Sequence, residues 1–600
     1  MAHEIRFPYQ DRSLDIEQRV GDLLTRMDAS DKAGMLFHMM ISVVDPSEGS
    51  PGFGIPSARA MIRNRRMRHF NVLGAAPSGR EFAAWHNAVQ TIALEHPLGI
   101  PVTLSTDPRH AFTDNPGASI LAGPFSQWPE PLGLAAIRSS ERVERFADIA
   151  RQEYLAVGLR LALHPQVDLA TEPRWARANG TFGEDADLTA ELGAAYVLGF
   201  QGAELGTRSV STMVKHFPGG GAQKDGEDPH FEYGREQVYP GGNFEQHLKP
   251  FAAVFEAGAS QVMPYYGMPV GTEYEEVGFG FNTSVITGLL RERFGFDGIV
   301  CTDWGLLTDT TIMGTPMPAR AWGVESLTRD QRMLKALDAG VDQFGGELCT
   351  DVMLDLVAEG RVTEERMDVS VRRLLREKFR LGLFDQPFVD EEHASTVIGC
   401  EEFRAEGLAA QSDSLTLLTN RSVRVGTRSG DIPDSAVAPT LPLQRGIRVY
   451  TEGVDPDVLG RYATVVDAPE DADAAILRLK APYEERRGGF ESFFHAGSLE
   501  FPHAEQERLC ALARTIPTVM DVYLDRPAIL GDLASCAAAI IADFGASDAA
   551  LLPVLFGERS PLGSLPFDLP RSMAAVEASR PDVPFDTADP LFHFGHGLRY

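Results

Sequence analysis

Apolar positions along the first 385 residues fall into two alternating patterns. Short runs of apolar residues occur at 99–107 (GIPVTLSTD), 160–170 (RLALHPQVDLA), 211–217 (STMVKHF), 259–267 (ASQVMPYYG), 297–305 (DGIVCTDWG) and 339–346 (AGVDQFGG). Between them, residues 140–158, 188–205 and 243–258 carry apolar side chains at helical spacing, and residues 13–40 do so through Ile16, Val20, Leu23, Leu24 and Met27. Strands alternating with amphipathic helices predict a parallel sheet, and over some 300 residues a (β/α)8 TIM-like barrel is the leading architecture. A doubly wound α/β sheet comes second, because no Gly-rich phosphate loop follows the first strands.

The pattern changes after an arginine-rich helix at 365–384. The Pro- and acid-rich stretch 385–395 reads as a linker. Beyond it, runs at 414–420, 446–453, 473–480, 516–525 and 537–545 alternate with helical stretches such as 503–514. These predict a second, smaller α/β domain. The expected layout is a barrel over 1–385, a linker over 386–405, an α/β domain over 406–560 and an ordered tail over 561–600.

Composition removes several classes of function. At 600 residues the chain is too long for a single ordinary core. A formal charge of −30 argues against nucleic-acid or anionic-membrane partners, which need basic footprints. No apolar run reaches the roughly 20 residues of a membrane span, and the first residues lack the apolar stretch of a signal peptide. The five cysteines are scattered without a C-x-x-C pair, which suits free thiols in a reducing compartment and predicts a cytoplasmic protein. No cofactor is expected, and a homodimer stays open.

Several predicted strands end in polar or aromatic residues: Asp107 after VTLST, Lys215-His216 after STMV, Tyr265-Tyr266 after QVMP, and Asp303-Trp304 after IVCT. In a parallel barrel these strand ends build the active face. One such residue is commonly a helix cap; four together point to a site. The loop 171–185 (TEPRWARANGTFGED) is too irregular for a helix or strand, and it places Arg177 toward a ligand with Glu184 and Asp185 bracing the loop. Asp225, Asp228 and His230 in 224–242 lack metal-ligand spacing, so no metal site is expected and a solvated active-site loop is the reading.

Taken together, PRWAR…FGED, KHFPG, MPYY, GFDGIVCTDWG and the closing GSLPFDLP…FHFGHGLRY resemble glycoside hydrolase family 3, the β-glucosidase-type exo-glycosidases. The resemblance runs from near residue 15 to the C-terminus. It implies a TIM-like barrel followed by an (α/β)6-sandwich, with the site at their junction. It implies Asp303 as the nucleophile and Trp304 as the wall against which the sugar packs. Asp107, Arg177, Lys215, His216 and Tyr266 match the family's sugar-pocket residues, while Ala176 stands where PRWGR has glycine. The chemistry agrees: an oxocarbenium-like transition state needs a fixed carboxylate under the anomeric carbon, and a retaining mechanism needs a second, protonated acid.

That acid is expected in the second domain, in the loop 481–500 that resembles the family's P-Y-x-E stretch. Glu485 matches by register and Glu484 adjoins it, with Glu491 and Glu500 further along. Arg486 and Arg487 favour an ionised carboxylate there, whereas Tyr483, Phe490 and Phe493 favour a protonated one. The resemblance therefore implies a retaining exo-β-glucosidase releasing a terminal glucosyl residue from a β-glucoside or oligosaccharide. The alternatives are the family's N-acetylhexosaminidase branch, with Asp228-Pro229-His230 as an approximate Asp-x-His dyad, and a catalytically silent sugar-binding protein.

Overall fold

A computed structural model of the chain describes residues 6–112, 123–312, 314–422, 439–486 and 488–600. Eight parallel strands surround the first core: β1 (Phe37–Ser42), β2 (His69–Leu73), β3 (Thr103–Thr106), β4 (Leu159–Ala162), β5 (Ser211–Phe217), β6 (Gln261–Pro264), β7 (Ile299–Val300) and β8 (Phe344–Gly345). Their spatial order is β8-β1-β2-β3-β4-β5-β6-β7. A parallel bridge between Cys301 and Gln343 joins β7 to the approach to β8 and closes the ring. Side chains alternate in and out as the pleat requires: Met213 packs inside with Leu161, Met263 and Cys301, whereas Val214 faces the outer core. The inner cluster fills the barrel beneath Trp304.

Three predicted helices form with small shifts at their ends, over Ser140–Ala156, Ala186–Gln201 and Phe244–Glu256. Asp185 caps the second by accepting from Leu188 N at 2.7 Å, so its part in bracing the loop is that of a helix cap. The arginine-rich helix spans Glu364–Arg380, with Glu364 and Glu365 in its first turn and Lys378 and Arg380 in its last, complementing the helix dipole.

Two regions depart from the sequence reading. Residues 13–40 make two helices, Ile16–Leu24 and Ala29–Met35, and then strand β1. Asp28 starts the second helix through a capping box with Asp31, so the helical periodicity is broken where a new cap intervenes. Strand β2 (HFNVL) escapes pattern reading because its buried His69 and Asn71 interrupt the apolar run.

The second unit holds a six-stranded sheet: β9 (Thr416–Asn420), β10 (Arg448–Glu452), β11 (Thr464–Val465), β12 (Ala474–Lys480), β13 (Thr518–Tyr523) and β14 (Ala539–Asp543), in the order β9-β14-β13-β12-β10-β11. Only the β9–β14 pair is antiparallel. The stretch read as a linker carries helix Glu391–Val397 and the start of helix Glu401–Ser414. The tail returns across both units: His596 donates to Leu418 O, and Asp582 accepts from the Gly241 and Asn243 amides of a barrel loop. Glu184 ties the 171–185 loop to the same tail, accepting from the Asp568 and Phe585 amides.

Cys510 and Cys536 are disulfide-bonded between two helices of the second unit, while Cys301, Cys349 and Cys400 are free. This corrects the expectation of free thiols throughout and removes one support for a reducing compartment. No helix among the described residues is long and apolar enough to cross a membrane.

Candidate active site

The C-terminal ends of the barrel strands surround a cavity of about 990 Å³. On β5, Lys215 and His216 are consecutive, and a regular strand would point them to opposite faces. The Lys215–His216 peptide is cis, and the register against β6 shifts between Lys215 and Phe217. Both side chains line the cavity. The turn beyond them is tightly built: a Cβ on Gly221 would lie 1.5 Å from the Leu169 carbonyl oxygen, so no other residue fits there.

Lys215 Nζ donates to Asp107 Oδ1 at 2.9 Å, and Asn71 Nδ2 donates to Asp107 Oδ2 at 3.0 Å. Asp107 is thereby aimed from both sides. His216 Nδ1 lies 2.8 Å from Asp168 Oδ2, while Asp168 Oδ1 accepts from the amides of His216 and Gly220. Burial, then the Arg177 charge, holds His216 far below its ordinary pKa, so the ring is neutral. Burial also raises Asp168 to about 6 against its backbone hydrogen bonds.

Arg177 is 4% exposed, and among the described residues its Nε and Nη1 have no hydrogen-bond partner. Burial opposes its charge, but Tyr265, Asp228, Asp303 and Asp168 more than offset that and hold the guanidinium above its ordinary pKa. A buried cation with unused donors is prepared for an oxygen-rich ligand.

Asp303 follows β7. Its Oδ1 accepts from Trp304 N at 2.8 Å. Among the described residues its Oδ2 has no hydrogen-bond partner; His216 Nε2 is 3.9 Å away. The Tyr266 hydroxyl accepts from Trp304 N at 2.8 Å and donates to Trp304 O at 2.7 Å, fixing the backbone that carries the carboxylate. Burial and the Asp303 charge push the Tyr266 pKa well above 10, so it stays a neutral donor. The Trp304 ring lines the cavity and packs on His38, with ring centroids 5.4 Å apart. The structure thus brings Asp107, Arg177, Lys215, His216, Tyr266, Asp303 and Trp304 into one cavity.

It does not bring Glu484 and Glu485 there. Both are exposed and neither lines the cavity. Glu484 pairs through its backbone with Ala496, and its side chain accepts from Ser498 N at 3.2 Å. Glu491 accepts from the Tyr233 hydroxyl, and Arg486 is paired with Glu227 at 2.6 Å. Tyr483 stacks on His495. Arg487 lies outside the described residues. Phe490 and Phe493 are what this loop contributes to the cavity wall.

The 224–242 loop is not uniformly solvated. Asp225 is exposed, but Asp228 is 2% and His230 9% exposed, and His230 lines the cavity. His230 Nδ1 contacts Asp228 Oδ1 at 2.6 Å, its ring packs on Tyr266 and Phe494, and the Trp322 indole donates to Pro229 O between them. Burial lowers the His230 pKa, with Asp228 opposing; despite its own burial, Asp228 is held below its usual range by His230. Asn71, Asp168 and the buried Glu347 are further site residues that sequence reasoning missed. Among the described residues no cluster of three or more His, Cys, Asp or Glu is placed to hold a metal.

A parallel barrel with a buried carboxylate at its active face, followed by an α/β sheet unit, is the build of a two-domain glycosidase. Residues 76–377 match the glycosyl hydrolase family 3 N terminal domain and residues 331–600 the glycosyl hydrolase family 3 C-terminal domain. The chain belongs to glycosyl hydrolase family 3. It is 52% identical over 595 residues to the probable beta-glucosidase C of Aspergillus flavus, covering 99% of this chain and 92% of that one. It is 40% identical over 613 residues to the periplasmic beta-glucosidase/beta-xylosidase of Dickeya chrysanthemi, covering 98% and 91%. In fold it is similar to the beta-glucosidase of Listeria innocua solved with isofagomine, with a TM-score of 0.74 at 22% identity, covering 97% of this chain and 83% of that one.

Proposed function

We propose that the protein is a retaining exo-acting β-glucosidase that works through a glycosyl-aspartate intermediate at Asp303. The observation that carries this is the Asp303 Oδ2 atom, buried in the cavity without a hydrogen-bond partner among the described residues. A carboxylate fixed through its other oxygen and its backbone is prepared to attack an anomeric carbon. Asp107, Arg177, Lys215 and His216 supply acceptors and donors for the hydroxyls of one terminal sugar, and Trp304 supplies a flat apolar wall. Homology to beta-glucosidases at 52% and 40% identity favours a glucoside over an N-acetylglucosaminide or a silent binding site.

For the proton, His230 backed by Asp228 takes the place expected of Glu485 and Glu484. His230 lines the cavity beside Tyr266, whereas the two glutamates do not. In the first step Asp303 Oδ2 bonds to the anomeric carbon, the glycosidic bond breaks, and the leaving oxygen takes the Nε2 proton of His230, which enters the step as the imidazolium paired with Asp228 and leaves it as the neutral ring. In the second, His230 takes a proton from water as the water oxygen displaces Asp303. The test is turnover of aryl β-glucoside against aryl N-acetyl-β-glucosaminide by the native enzyme and Asp303→Ala. The proposal expects glucoside turnover that Asp303→Ala abolishes; faster turnover of the N-acetylglucosaminide, or an active variant, overturns it.

A further inference from the structure

The cavity has two chemically different sides. The sugar grips come from one arc of the barrel: Asp107 after β3, Arg177 in the β4 loop, Lys215 and His216 on β5, Tyr266 after β6 and Asp303 after β7. The remaining arc, β8-β1-β2, contributes a different wall. There the lining includes Met40, Val43, Val44, Phe53, Leu73 and Leu348. These strands are neighbours in the sheet, and Val43 N donates to Leu73 O, so the apolar residues form one continuous surface.

This surface is preformed. Trp85 Nε1 donates to Val44 O, and the Ser42 and Ser50 hydroxyls pair across the loop that carries Phe53. Phe53 and Val44 are nevertheless 41% and 38% exposed, large apolar side chains left partly uncovered among the described residues. Two of the acids on this side, Glu347 and Asp309, are engaged internally, and Arg320 and Arg329 also line the cavity. Glu347 Oε1 accepts from the Leu307 and Thr308 amides, and Asp309 accepts from Ala319 N. Arg65, at the rim, is spent on Leu348 O and on Asp351. A second sugar needs many free hydrogen-bonding groups there, and an apolar group does not.

We infer that the β8-β1-β2 side of the cavity is an aglycone chamber for apolar groups, so that the preferred substrates are β-glucosides of alkyl or aromatic alcohols rather than glucose oligosaccharides. This rests on the β-glucosidase reading of the same site. Each methylene withdrawn from water into the chamber raises kcat/KM about fourfold, from the transfer energy of a buried CH2.

The experiment is kcat/KM for a series from methyl through butyl to octyl β-glucoside, with cellobiose alongside, for the native enzyme, Phe53→Ala and Val44→Asp. Phe53 and Val44 are exposed, so both variants should fold, which circular dichroism checks. The expected result is a steep rise with chain length, octyl glucoside exceeding cellobiose at least tenfold, and a slope flattened in both variants. A flat series, or cellobiose preferred over octyl glucoside, overturns the apolar chamber while leaving the β-glucosidase reading intact. A series that rises equally in both variants places the apolar contact elsewhere and also overturns the proposal. No turnover of any β-glucoside overturns the function itself, and the chamber with it.

Discussion

Glu347 sits at the end of β8, 2% exposed, where its Oε1 clamps the loop after Asp303 through the Leu307 and Thr308 amides. Burial raises its pKa from 4.5 to about 7, against those hydrogen bonds. Its folded-state pKa therefore lies above its unfolded value, and between pH 4.5 and about 7 the native state binds more protons than the unfolded chain. Stability supplied by this group is fully present below pH 4.5 and is lost as pH rises through about 7. At about 1.4 kcal/mol per pH unit, that interval amounts to roughly 3 kcal/mol. Glu347→Gln keeps the Oε1 acceptor and cannot ionise, so it should escape this loss. The assay is denaturant unfolding followed by tryptophan fluorescence at pH 4.5 and pH 8, comparing variant with native protein at each pH. Because a protein of this size need not unfold in one step, the barrel transition is the one compared. The expected result is a variant that gains about 3 kcal/mol relative to the native protein between the two pH values. Parallel pH dependence of the two proteins would refute the assignment of a raised pKa to Glu347.

Two further predictions concern the site. His230→Ala should lose far more activity on alkyl β-glucosides than on a dinitrophenyl glucoside, with azide restoring the second step, whereas Glu485→Ala and Glu484→Ala should behave like the native enzyme; leaving-group dependence in either glutamate variant would return the acid to the 481–500 loop. Asp168→Asn should lower kcat/KM about 10- to 100-fold, from the roughly 1.5–3 kcal/mol of a hydrogen bond to a charged group, because three N–H donors around His216 and Gly220 lose a charged acceptor; native-like kinetics would show that His216 holds its place without Asp168.

What the sequence made legible follows from where each residue sits. Asp107, Lys215, His216, Tyr266 and Asp303 stand at the ends of apolar runs, and a parallel barrel turns that one-dimensional position into a shared face. Asp168 ends the run HPQVDLA in the same way and was open to the same reasoning. Strands β1 and β2 were hidden because FHMMIS and HFNVL place His38, His69 and Asn71 in buried positions that break the pattern. In the sequence His230 reads as part of a solvated loop, because its burial depends on Tyr266, Trp322 and Phe494, none of them near it along the chain. Register favours Glu485, and register does not reveal that Glu484 pairs back onto Ala496 and Ser498 or that Arg486 is taken by Glu227.

The central claim is that Asp303 Oδ2 forms the bond to the sugar. A 2-fluoro-glucosyl fluoride slows both steps but the second more, so a covalent intermediate accumulates; peptide mass spectrometry of the inactivated enzyme then locates it. The account predicts one adduct, on the peptide containing Asp303, formed with loss of activity and absent from Asp303→Ala. An adduct on another carboxylate, or full inactivation with the Asp303 peptide unmodified, would contradict it.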